Sequence, residues 1–135
     1  IRDGDIAGAL APAIDDSGVD ILMGIGGAPE GVIAAVALKC LGGEIQGRLK
    51  FRNDKEKERA KKMGMKDLNQ KLMMNDLVKS SEAMFAATGV TDGTILRGVS
   101  FQSHGAKTHS IVMRAKTKTI RFIEAQHHFE HFPDY

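Results

Sequence analysis

Residues 19–41 read VDILMGIGGAPEGVIAAVALKCL, which is an apolar run, a glycine-rich turn and an alanine-rich stretch in that order. The run over residues 19–25 is broken only by Asp20 and Gly24, a pattern typical of a β-strand that is covered on both faces. Pro29 suits the first turn of a helix, where its missing N–H costs no hydrogen bond. We therefore expect a strand, a tight turn and then a helix over residues 29–41, which two glycines terminate.

The turn between strand and helix has the groups that bind an anion, but it also carries the acidic side chain of Glu30. Its glycines let a ligand approach the backbone amides closely, and the helix start offers free N–H groups and a positive dipole end. Glu30 would repel a phosphate bound there, unless a divalent cation bridged the carboxylate and a phosphate oxygen. The alternative is a tight turn in which Glu30 only complements the helix dipole.

Known nucleotide-binding patterns do not fit this turn. Pro29 stands where the dinucleotide fingerprint requires glycine or alanine, and no Gly-Lys-Ser/Thr of a P-loop follows. The turn still allows a phosphate- or nucleotide-binding module without catalysis, as the alternative to an enzyme.

A second junction of this kind lies at the start of the chain. Asp3 and Asp5 flank Gly4, just before a short helix predicted over residues 6–14. In open α/β sheets such junctions line one edge, so Asp3, Asp5 and Glu30 could converge in one crevice and bind sugar hydroxyls or a hard cation. Alternatively, Asp3 or Asp5 caps the helix.

The remaining sequence predicts an α/β domain with a mixed sheet flanked by helices. Its last third is β-like, and four-residue connections there favour an antiparallel meander. The predicted elements are a strand at 45–51, a charged helix at 54–65, and strands at 83–87, 99–103, 109–114 and 119–125.

Composition narrows the class of protein. The 135 residues suit one domain, and a net charge of +2 gives no general attraction to nucleic acid or to anionic membranes. No apolar run approaches the roughly 20 residues that span a bilayer. A single cysteine, Cys40, agrees with a reducing compartment, so we expect a cytoplasmic location. The chain does not begin with Met, and we expect it to be a truncated piece of a longer protein.

Several other polar clusters have ordinary structural explanations. His127, His128 and His131 invite a metal site but lie in a context that does not form a helix. Cys40 sits in an apolar helix and fits a core position better than a nucleophile. The hydroxyl-rich residues 88–93 suit turn chemistry, and the charged residues 54–66 suit a solvated helix face.

Four segments together resemble the class II fructose-1,6-bisphosphatases and the related fructose/sedoheptulose bisphosphatases of photosynthetic organisms. The most specific is GIGGAPEG at 24–31, followed by an alanine-rich helix and CLGG at 40–43. DGDI at 3–6, ATGVTDG at 87–93 and TIRFI at 119–123 match that family in order and spacing. The resemblance runs nearly end to end, yet it covers only the C-terminal part of such an enzyme.

The resemblance implies a fold like that of the lithium-sensitive, metal-dependent phosphatases, with layered α/β/α domains and an active site between two of them. Residues 1–135 would be the C-terminal domain of this pair. The missing N-terminal domain would supply the remaining metal carboxylates and the basic residues that bind substrate phosphate. We therefore expect this piece alone to bind metal weakly and to be inactive. We also expect a homo-oligomer.

By the same resemblance, Glu30 is a ligand of a catalytic Mn²⁺ or Mg²⁺ ion. Asp3, Gly4 and Asp5 would hold the sugar, and Gly27 would contact the substrate through its backbone. The reaction implied is hydrolysis of the C1 phosphate of a sugar bisphosphate.

Overall fold

The computed structural model describes residues 4–129, with Asp5 described by its backbone only. Its helices are α1 (Asp5–Leu10), α2 (Ala28–Leu41), α3 (Asp54–Lys62) and α4 (Met74–Leu77), with a 3₁₀ turn at Ala11–Ala13. Its strands are β1 (Gln46–Gly47), β2 (Leu72–Met73), β3 (Met84–Thr88), β4 (Ser100–Gln102), β5 (Gly105–Arg114) and β6 (Thr119–His128). No helix within residues 4–129 is long and apolar enough to cross a membrane.

The main sheet is organised around β5. Strand β6 pairs with β5 along its whole length, while β3 and β4 share the other side of β5. The predicted hairpins and the strand at 83–87 are thus confirmed, as is the four-residue connection from Ala115 to Lys118. The four-residue connection predicted at 104–107 is wrong, because β5 begins at Gly105 and only residues 103–104 join it to β4. The predicted mixed sheet is wrong for the described residues, because each strand pair formed among them is antiparallel.

Helix α2 covers one face of this sheet and forms the core with it. Small side chains on α2 let the helix approach closely, and α1 and α4 pack against its flanks. The sheet contributes Phe85, Ile111 and Met113 to the same core. The buried residues of α2 are Ala34, Ala35, Ala37, Leu38 and Cys40. Within residues 4–129 the fold is therefore α/β, with a helical layer on an antiparallel sheet.

Two predicted strands are absent or much shorter in the structure. Residues 19–25 form neither helix nor strand, and of residues 45–51 only Gln46 and Gly47 pair with another strand. A strand exists only where a neighbour completes its hydrogen-bond ladder. No described segment pairs with residues 19–25, so the apolar pattern alone was not sufficient.

The charged segment forms a solvated helix, as predicted. Asn53 caps α3 by accepting a hydrogen bond from the backbone N–H of Glu56 at 3.0 Å, and α3 buries none of its residues. The helix ends before Gly64, which adopts the left-handed φ of 95° that glycine tolerates.

Candidate functional site

The predicted helix start is confirmed at the N-terminus of α2. Gly27 is its N-cap, with φ −67° and ψ 145°, and the first helical hydrogen bond runs from the Gly31 N–H to the Gly27 carbonyl at 3.0 Å. No side chain caps this end. Pro29 has no N–H to satisfy, and the amides of Ala28 and Glu30 stay available to a ligand because the first N–H groups of a helix have no partner within it.

Glu30 lies over this turn in the first turn of α2. Its side chain is exposed and makes no hydrogen bond or ion pair with any described residue. A Cβ atom added at Gly27 would overlap the Glu30 carboxylate, whereas one added at Gly24 or Gly31 would meet nothing within 4 Å. Of these three glycines, only Gly27 therefore needs to lack a side chain for Glu30 to keep this position.

The turn and Glu30 line a cleft of about 490 Å³. Two cations, Arg48 and Lys50, also line this cleft, and the sequence reasoning missed them as site residues. Arg48 donates from Nε to the Asn69 carbonyl at 3.2 Å, and Lys50 has no ion pair in the described part of the chain. The alternation of apolar and polar residues over 45–51 was the available signal, since it groups Arg48 and Lys50 on one side.

Only part of the second predicted cluster lies within the described residues. Asp3 falls outside them, and for Asp5 only the backbone is described, so their convergence on Glu30 stays a prediction. Gly4 is the N-cap of α1, in the left-handed conformation with φ 84°. Gly4 does not line the cleft, to which α1 contributes Ala9.

The described residues provide one ligand for a metal ion in this cleft and not a complete set. A carboxylate oxygen suits hard cations such as Mg²⁺ and Mn²⁺, and among the described residues that line the cleft Glu30 is the single acidic one. Within residues 4–129 no group of three or more His, Cys, Asp and Glu side chains could hold a metal. Among the described side chains the cleft therefore offers one candidate ligand, which by itself is not a complete metal site.

The contact of His127 and the burial of Cys40 give both side chains a structural role. The Nε2 atom of His127 lies 2.9 Å from the hydroxyl of Thr108, across the β5–β6 pair. His131 lies outside the described residues. Cys40 is buried, and this burial raises the pKa of its thiol, so the reactive thiolate is disfavoured. Cys40 is therefore a core residue, as expected.

A second cleft, of about 350 Å³, lies beside the turn at residues 88–93. Asp92 accepts a hydrogen bond from the Gly98 N–H at 2.8 Å, which fits the turn chemistry expected of this segment. His109 accepts one from the Arg97 N–H at 3.1 Å, and the Arg97 side chain pairs with Glu124. These polar groups satisfy one another and thereby hold the turn against the sheet.

Basic side chains on the β5–β6 hairpin are also partly paired. Arg114 and Lys116 contact Glu82 at 2.7 Å and 2.6 Å. The hydrogen bonds from Lys116 and Arg114 lower the pKa of Glu82. This cluster ties the hairpin to the segment before β3.

Comparison with known proteins identifies the class and then the family. The relatives that match include sugar bisphosphatases. The class 2 fructose-1,6-bisphosphatase of Haemophilus influenzae is 41% identical over 143 aligned positions, which cover 96% of this chain and 43% of that protein. A D-fructose 1,6-bisphosphatase class 2/sedoheptulose 1,7-bisphosphatase of Synechococcus sp. (strain JA-3-3Ab) is 39% identical over 139 positions, which cover 94% of this chain and 40% of that protein.

The family model described as bacterial fructose-1,6-bisphosphatase, glpX-encoded, matches residues 1–127. The chain belongs to this family, which confirms the resemblance seen in its motifs. It spans about two fifths of the length of the curated relatives it matches.

Proposed function

We propose that this chain is the C-terminal domain of a two-domain, metal-dependent fructose-1,6-bisphosphatase. The full-length enzyme would hydrolyse the C1 phosphate to give fructose 6-phosphate and phosphate, in gluconeogenesis, glycerol metabolism or the Calvin cycle. Family membership and the printed activities of the relatives support this reaction. The observation that carries it is the exposed Glu30 carboxylate, placed beside the free amides at the head of α2.

Each residue of the site has a distinct role in this proposal. The Glu30 carboxylate ligates a divalent ion, Mn²⁺ or Mg²⁺, and the adjacent helix start orients a phosphate oxygen. Gly27 contacts the substrate through its backbone, while Asp3, Gly4 and Asp5 hold the sugar hydroxyls. When bound, the metal would lower the pKa of a water molecule and neutralise charge on the leaving oxygen. The protein's own contribution is positioning and charge stabilisation.

The rest of the site comes from the part of the enzyme that precedes this chain. A single carboxylate cannot hold a cluster of two or three metal ions, so further acidic ligands and the basic residues for substrate phosphate belong to the N-terminal domain. We infer the layered architecture of the lithium-sensitive phosphatases, a homo-oligomer and a cytoplasmic location for the whole protein.

An activity assay on the full-length protein tests this function. We expect phosphate release from fructose 1,6-bisphosphate that requires Mn²⁺ or Mg²⁺ and stops when a chelator removes the metal. The open glycine turn at a helix start is also compatible with one alternative function, that of a phosphate- or nucleotide-binding module without catalysis. Binding that is independent of metal, with ATP or NAD competing against sugar phosphate and no turnover, would establish that alternative.

Replacing Gly27 by Ala should impair the site without unfolding the domain. The new Cβ overlaps only the far end of the flexible Glu30 side chain, so the carboxylate moves while the helix stays. We expect kcat/KM to fall about 10-fold or more, which is the effect of losing a group that orients a metal ligand. The melting temperature should stay unchanged. The matched control is Gly47→Ala, because a Cβ atom there would meet nothing within 4 Å and Gly47 does not line the cleft, so this variant should retain activity. Equal activity of the two variants would contradict the role of Gly27.

A further inference from the structure

Residues 19–25 expose more apolar surface than a polar turn requires. Ile21, Met23 and Ile25 are 71%, 85% and 79% exposed, and Val19 and Leu22 are 39% and 43% exposed. In a strand, residues 19, 21, 23 and 25 would share one face, because side chains alternate. Contiguous exposed apolar surface of this kind marks an interaction site.

The backbone of this segment is also unpaired. The Val19 N–H donates to the Ser17 hydroxyl at 3.2 Å, but residues 20–26 make no backbone hydrogen bond to any described residue. Free N–H and C=O groups beside apolar side chains are what an added β-strand binds. The segment thus offers both the ladder and the apolar contacts that a strand partner needs.

We propose that residues 19–25 dock a β-strand from the N-terminal part of the same full-length polypeptide. This inference rests on the proposed function, which makes the chain one part of a longer enzyme. More than half the length of each curated relative has no counterpart in this chain, so enough polypeptide exists to supply the strand. A covalently linked partner also has a high effective concentration, which favours it over a separate molecule.

Docking at this place would couple domain assembly to the site. The segment runs directly into the turn at Gly24, Gly26 and Gly27 and then into α2. A ladder along residues 19–23 would fix the start of this turn, and with it the position of Glu30 against the ligands that the N-terminal part supplies. The strand would act as a positioning element beside the cleft, which Leu22 and Met23 line together with Glu30.

Two methionines with matching exposure allow a controlled test in the full-length protein. Met23 and Met63 are 85% and 82% exposed, but Met63 lies at the C-cap of α3, outside the segment. If a strand covers Met23, a charge there must be buried, and we expect Met23→Lys to raise the unfolded fraction in urea at least about 10-fold. Met63→Lys should leave it unchanged. Equal effects of the two variants would overturn the proposal.

Hydrogen exchange on the unmodified full-length protein provides a second readout. A single docked strand hydrogen-bonds every second residue, so we expect the amides of Ile21 and Met23, or those of Asp20 and Leu22, to exchange at least about 100-fold more slowly than unpaired amides. Amides of β5 serve as the protected reference. Fast exchange at all four positions in an active bisphosphatase would overturn the docking and leave the function standing. Slow exchange in a protein without bisphosphatase activity would leave the docking standing and overturn the function.

Discussion

Replacing Glu30 by Gln in the full-length protein should lower kcat/KM for fructose 1,6-bisphosphate at least about 100-fold. Glutamine keeps the size of the side chain but removes the negative charge that a divalent ion requires, and even indirect partners of a metal are worth about 10–100-fold. Because Glu30 is exposed and makes no hydrogen bond or ion pair within the described residues, stability should change little. The favourable charge near the helix start is worth only about 0.3–1 kcal/mol.

The matched control for this variant is Glu44→Gln. Glu44 is an exposed carboxylate beyond the other end of α2 and does not line the cleft, so its loss should leave kcat/KM unchanged. A manganese titration adds a specific readout, since Glu30→Gln should shift activation to higher Mn²⁺ concentrations. Full activity of Glu30→Gln would instead mean that the glycine turn is only architecture, in a structural or oligomerising domain.

The second large effect concerns the 135-residue chain by itself. It should release phosphate from fructose 1,6-bisphosphate at less than about one thousandth of the rate of the full-length enzyme. The reason is the ligand set, because the described residues place one carboxylate in the cleft and metal catalysis requires a fixed coordination geometry. The assay contains Mn²⁺, and calorimetry of the same sample should show weak metal binding.

Two observations make this result interpretable. Far-UV circular dichroism must show that the isolated chain is folded, so that inactivity reflects an incomplete site. Adding the separately produced N-terminal part should then restore turnover. Enzyme-like rates from the chain alone would contradict the claim that half of the site lies elsewhere.

The parts of the fold that sequence predicted well are those fixed by local chemistry. Pro29 near the start and Gly42 after the end defined α2 to within one residue, because a proline near the helix start and a left-handed glycine after the helix are signals within the segment itself. The hairpins around β5 were predicted for the same reason, since alternation and short connections bring adjacent strands together.

The failures are segments whose structure depends on a distant partner. Residues 19–25 have the apolar pattern of a buried strand. A strand also needs a neighbouring strand to complete its hydrogen bonds, and the apolar pattern does not show whether one is present. Residues 45–51 alternate well yet pair only at Gln46 and Gly47. The parallel strands of a mixed sheet would have needed these same segments, which is why the described sheet is antiparallel throughout.

The site was predicted unevenly for similar reasons. Glu30 and Gly27 follow from a compact motif at a helix start, and the structure places both in the cleft region as neighbours. The alternation over residues 45–51 groups Arg48 and Lys50 on one side, but only tertiary packing shows that this side meets the cleft. Asp3 and Asp5 stay predictions, because the described side chains do not include them.

A crystal structure of the full-length protein with manganese and a substrate analogue tests the central claim most directly. The anomalous signal of the metal locates it independently of the protein chain. We predict a manganese ion bound by a carboxylate oxygen of Glu30, with an oxygen of the analogue's phosphate shared between that ion and the amides at the head of α2. A manganese ion bound elsewhere, with Glu30 facing solvent or its own helix, would contradict the account.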